Sequence, residues 1–178
     1  VAETDARGHT TTYEYNAANL LTRKVFSDTT SEVRSYAAGP SGQSRLSSII
    51  SPQANLHWAF DSQGRISTMS QSVAGVTHRL AYSYDQQGRL ATLTYPSGAL
   101  LRFTYGEGGE IVGVSIGNNR LLTNVVYRPL GAPKGWTWGN GTTNHRQFDL
   151  DGNLTRFSLG LSSQTVMYDA ATRITNIL

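Results

Sequence analysis

A chain of 178 residues fits one ordinary domain with room for a sizeable core. Eighteen glycines against five prolines, with abundant Ser and Thr and little heptad-like text, favour short strands joined by turns and exclude a helical bundle. The 15 basic and 12 acidic residues leave a net charge of +3, but the only adjacent basic pair is Arg23-Lys24, so no stripe could neutralise a run of phosphates and nucleic acid is not expected as a partner.

In chain order, an aromatic followed by a turn-forming tetrapeptide recurs. It reads "YNAANLL" at Tyr15, "YAAGPSGQSRL" at Tyr36, "FDSQGRI" at Phe60, "YDQQGRL" at Tyr84, "YGEGGEI" at Tyr105, "YRPLGAP" at Tyr127, "FDLDGNL" at Phe148 and "YDAATRI" at Tyr168. Successive starts are 20 to 24 residues apart, a period that points to stacked supersecondary units. Each unit reads as a β-hairpin plus the turn to the next. Asp85 can bond forward to the backbone and Gly88 tolerates the left-handed conformation, so the chain reverses there. Gly64, Gly109 and Gly152 hold the place of Gly88 in their own copies. A second reversal falls at half period, at Asp5-Ala6-Arg7-Gly8, Pro96-Ser97-Gly98 and Asn140-Gly141.

Leu101, Phe103 and Tyr105 alternate with Arg102 and Thr104, as expected of a strand with one packed face. The strand leaving each turn breaks that alternation. Apolar pairs three apart recur at Leu46/Ile49, Ile66/Met69, Leu90/Leu93, Ile111/Val114, Leu154/Phe157 and Ile174/Ile177, which predicts a bulge or strong twist at one fixed place in the period.

These residues, above all "YDQQGRL…YPSG…FTY", resemble the YD-repeat or Rhs (rearrangement hot spot) family over essentially the whole chain. Arg65-Ile66, Arg89-Leu90 and Arg173-Ile174 match the family's Arg-aliphatic pair after the turn. Gly106 and Arg128 depart from it where Asp is usual, as does Thr172 where Gly is usual. The resemblance implies an all-β fold, tandem hairpins forming a curved antiparallel sheet that is part of a hollow shell. It further implies that residues 1–178 are one repeat region of about eight units, cut within a repeat at both ends. In bacterial members such a shell encloses a toxin domain before delivery, often by type VI secretion. The implied partners are the rest of the shell, the enclosed toxin and possible secretion-spike proteins, and the implied location is secreted or delivered from a bacterial cell. The family's Asp-Pro-x-Gly-Leu type segment, associated with self-cleavage, does not occur here, so no cleavage residue is assigned.

The repeated aromatics read as the packing face of a sheet, each stacking on its counterpart one repeat away. The alternative is a carbohydrate-binding or adhesion module, for which Trp136 and Trp138 are the best candidates because they share a strand face. Each arginine after a turn glycine is expected to cap turn carbonyls and lie against a neighbouring tyrosine. "FDLDGN" offers Asp149, Asp151 and Asn153 as alternate oxygens, but its glycine comes too early for a calcium loop and no glutamate closes it, so an Asp-Gly turn is preferred. His9, His57, His78 and His145 occupy unrelated positions in the period and match no catalytic motif; His145 and Asp149 are close in sequence only. The sequons at Asn140 and Asn153 are read as turns. No cysteine is present, which removes disulfides and Cys-based zinc sites. No apolar run approaches the roughly 18 residues of a bilayer span, and no charged-then-apolar leader opens the chain. No metal, cofactor or catalytic residue is expected in this segment.

Overall fold

The structure, a computed structural model, describes residues 1–129 and 131–178. Seventeen strands and no helix occur among them. They divide into two compact units, Val1–Gly98 and Ala99–Leu178.

The first unit carries β1 (Ala2–Thr4), β2 (Thr10–Tyr15), β3 (Leu21–Val25), β4 (Ser31–Ala38), β5 (Ser44–Ile50), β6 (Asn55–Phe60), β7 (Ile66–Val73), β8 (Val76–Tyr84) and β9 (Leu90–Thr94). The second carries β10 (Leu100–Tyr105), β11 (Ile111–Ile116), β12 (Asn119–Tyr127), β13 (Pro133–Trp138), β14 (Thr143–Phe148), β15 (Leu154–Leu159), β16 (Ser162–Tyr168) and β17 (Ile174–Ile177). Within each unit every strand pairs antiparallel with the next in the chain, and no strand lies across another's face among the described residues. Each unit is therefore a single-layer meander. Short reversals make this the natural arrangement, because two strands joined by a tight turn can only pair antiparallel.

Cross-strand partners divide the first unit into two kinds of face. Tyr82 stands opposite Leu93, and Leu80 opposite Met69, which in turn faces Trp58. On the other side Ser83 faces Thr92, Arg79 faces Ser70 and Thr77 faces Ser72. The hydroxyls of Ser83 and Thr92 lie 2.6 Å apart, a cross-strand bond that suits a wet face. In the second unit Phe103, Val114 and Leu122 form one row while Arg102 and Ser115 form the opposite one.

A single layer buries little. Among the described residues Val125 and Val166, at 9% and 6% exposed, are the only buried apolar side chains, and none is fully enclosed. The sizeable core that length allows is absent because no second layer covers the aromatic face within a unit. Stability must come instead from neighbour-to-neighbour contacts along the stack, as in repeat proteins generally.

Candidate functional site: the stapled repeat

In five of the eight repeats one side chain builds the turn after the aromatic. Asp85 Oδ1 accepts from the backbone N–H of Gln87 at 3.0 Å and of Arg89 at 2.8 Å. The Gly88 N–H closes onto the Asp85 carbonyl, with Gly88 at φ +82°. Asp61, Asp149 and Asp169 make the same forward bond to the fourth residue on. Asn16 does so with its amide oxygen. Gly8, Gly64, Gly98, Gly109, Gly141 and Gly152 all sit at positive φ. Where the family pattern fails, the reversal persists: Thr172 takes φ +59° in place of glycine, and Gly106 and Arg128 still accept from the N–H three residues on.

Behind each turn lies a bulge. Tyr84 faces Leu90 and Ser83 faces Thr92, so Ala91 is an extra residue with no partner. The same shift follows Tyr15, Tyr36, Phe60, Tyr105, Tyr127, Phe148 and Tyr168. This explains the apolar pairs three apart: the inserted residue returns Leu93 to the face of Leu90, and Val114 to that of Ile111.

The repeat aromatics bridge neighbouring repeats. The Tyr36 hydroxyl donates to the Leu21 carbonyl at 2.8 Å, Tyr84 to Ile66 at 2.8 Å, Tyr127 to Ile111 at 2.7 Å and Tyr168 to Leu154 at 2.9 Å. Each acceptor is the first residue of the preceding repeat's outgoing strand, beside its bulge. A bulge disrupts the ladder locally, and the tyrosine supplies a donor there. The aromatics are half-buried except Tyr15, which is 46% exposed. The sequence drew attention to the rings; it did not reveal this use of the hydroxyl.

Arginines make the second bridge. Arg65 Nε donates to Asp61 Oδ2 at 2.7 Å within its own turn, while its guanidinium lies 4.2 Å from the centre of the Tyr84 ring in the next repeat. Arg89 and Arg173 repeat the ion pair with Asp85 and Asp169. Arg45 donates to the Gly64 carbonyl and lies over Phe60. Arg128 lies 4.6 Å from the Phe148 ring centre and donates to the Gly152 carbonyl at 3.3 Å. Planar guanidinium suits this double role, stacking through its face and donating through its edge.

These contacts set the carboxylates. Burial pushes the Asp61 and Asp85 carboxyls up, but the backbone and guanidinium donors of Arg65 and Arg89 outweigh it and hold both below the usual range. Asp169 is lowered by the Arg173 backbone and side chain, and Asp149 by the Asn153 amide.

The remaining candidates separate. Trp136 and Trp138 meet edge to face, 6.0 Å apart and 87° between planes, so they present no shared flat platform. Trp138 is 45% exposed and donates to Asn144 Oδ1 at 3.1 Å, while Arg146 lies over Trp136. Asp149 Oδ2 accepts from Asn153 Nδ2, the His145 backbone N–H donates to Ser158 Oγ, and no bond joins His145 to Asp149 among the described residues. Asp151 is exposed. His9 approaches Asp5 at 3.6 Å; His57 lies opposite Ser48 and His78 opposite Gln71, each on a different strand. No group of three or more His, Asp or Glu side chains converges among the described residues.

Comparison with known proteins agrees with this geometry. The teneurin YD-shell family model matches residues 42–178 and the RHS repeat model matches residues 1–31. The double-stranded DNA deaminase toxin A of Burkholderia cenocepacia (strain H111) is 30% identical over 145 residues, which are 81% of this chain and 9% of that protein. Two solved structures share the fold at 14% identity. A TcdB2–TccC3–Cdc42 crystal structure has a TM-score of 0.64 over 99% of this chain and 12% of its own. The Photorhabdus luminescens Tc holotoxin pore has a TM-score of 0.63 over 95% of this chain and 11% of its own. The chain thus spans about a tenth of the length of the proteins it matches. With hairpins, bulges and side-chain bridges recurring through the matched residues, the chain belongs to the teneurin YD-shell family.

Proposed function

We propose that this chain is a length of wall in an Rhs-like shell, and that its work is to contain a toxin domain until delivery. The observation that carries the reading is the staple between repeats: a tyrosine hydroxyl and an arginine each reach from one hairpin into the next. A wall needs cohesion between strands more than a buried centre, and these bridges supply it where the bulges loosen the ladder. Strands paired on both sides also leave a protease no free extended backbone to bind. The similarity to a DNA deaminase toxin and to Tc toxin assemblies supports a toxin-associated role.

On this reading the partners are the remaining shell and the enclosed toxin, and delivery is from a bacterial cell. The segment itself performs no catalysis. Limited proteolysis of the full-length gene product tests it. The toxin domain should survive in the wild type and be cleaved at the same protease dose when Tyr84→Ala and Tyr127→Ala are introduced. Equal cleavage in both, at the rate of the isolated toxin domain, would refute containment.

A further inference from the structure

The repeat normally neutralises its own arginines, as Asp61 does Arg65, Asp85 does Arg89 and Asp169 does Arg173. Among the described residues Arg45 lacks an acid partner on its own, and around Arg128 several cations lack one together. Arg128 stands where an aspartate is usual, and Ala132 and Asn153 stand where the paired arginine would be. Arg128, Lys134 and Arg146 then line a single depression of about 390 Å³ together with Gln147, Phe148 and Thr155. No ion pair involves any of the three cations among the described residues. The acid nearest in sequence, Asp149, is already held by Asn153.

Two of the cations are fixed in place. Arg128 lies over Phe148 and Arg146 over Trp136, at 4.6 and 5.0 Å from the ring centres. Arg128 gives one N–H to the Gly152 carbonyl, but stacking through the face leaves the edge of Arg146 for a carboxylate, which it can meet with two parallel N–H donors. Lys134 is the extra residue of its bulge and is exposed. A second depression of about 450 Å³ shares Lys134, Arg146 and Gln147 with the first and adds Trp136. The Trp136 indole Nε1 is buried with no acceptor among the described residues, an uncommon condition.

We propose that Arg128, Lys134 and Arg146, backed by Phe148 and Trp136, form a docking site for a short acidic peptide segment of a partner protein. Charge complementarity names the occupant. Three uncompensated cations at one spot suit a local cluster of Asp or Glu side chains, and the rings beneath them offer apolar contact to the peptide chain. A polynucleotide fits worse, because it needs cations spaced along a track, whereas Arg128, Lys134 and Arg146 line one local depression. The site does not depend on the containment reading, and its failure would leave that reading standing.

Fluorescence anisotropy of a labelled Glu-rich peptide, titrated with the full chain at low and moderate salt, tests the site. Saturable, salt-sensitive binding is expected, weakened about tenfold by Arg146→Gln and also reduced by Lys134→Gln. Arg102→Gln, on a different strand, should leave it unchanged. Lys134 is exposed, so Lys134→Gln keeps the test decisive if Arg146→Gln disturbs the fold. Absence of binding, binding undiminished in Lys134→Gln, or equal binding of a single-stranded oligonucleotide would overturn the proposal.

Discussion

Replacing Tyr84 by phenylalanine removes one hydroxyl and leaves the ring, so it isolates the bond to the Ile66 carbonyl. The expected loss is about 1 kcal/mol, the usual net worth of such a bond. Tyr84→Ala also removes the ring and the seat of Arg65, and should cost about 3 kcal/mol, the lower end for a large aromatic because the side chain is only half-buried. Arg102→Ala, exposed on the side of its own strand opposite Phe103, should cost under about 1 kcal/mol. Urea midpoints of the three variants check this order, and equal midpoints for Tyr84→Ala and Arg102→Ala would refute the assigned face. Periodicity showed which residues these were. What the hydroxyl does was not legible, because its acceptor is a backbone carbonyl, which carries no sequence signal.

At the scale of the hairpin, the turn aspartate joins backbone and arginine, and this predicts an acid-sensitive fold. A carboxyl whose native pKa lies below its unfolded value stabilises fully above the ordinary range, about 3.9 for Asp, and loses that contribution as pH falls through the native value. Asp61, Asp85 and Asp169 are all lowered. The urea midpoint should therefore hold steady from about pH 7 to pH 5 and fall below about pH 4. The triple variant Asp61→Asn, Asp85→Asn and Asp169→Asn should start lower at neutral pH and fall less on acidification; a wild-type midpoint that rises on acidification would contradict the argument. The bulge was readable at this scale because an extra residue changes the spacing of Leu90 and Leu93 from two to three. The half-period reversal between β7 and β8 was not. Ala74 there adopts φ +50° beside Gly75, a conformation that its sequence does not advertise.

For the whole molecule, length and composition allowed a buried core, yet the chain forms single-layer meanders in which Val125 and Val166 are the only buried apolar side chains among the described residues. Composition counts apolar residues and is blind to the number of layers, whereas the repeat period and the turn chemistry together pointed to the shell family. The charge excess at Arg128, Lys134 and Arg146 was hidden for a related reason: its cations come from three separate stretches that only the stack brings to one depression. Stapled repeats of this kind would act as a barrier if a toxin domain lies behind them. Cryo-electron microscopy of the full-length gene product tests this most directly. The strands of residues 1–178 should continue edge to edge into a closed wall, with density for a separate domain inside it. Solvent on both faces of these strands, with the toxin domain outside, would contradict it.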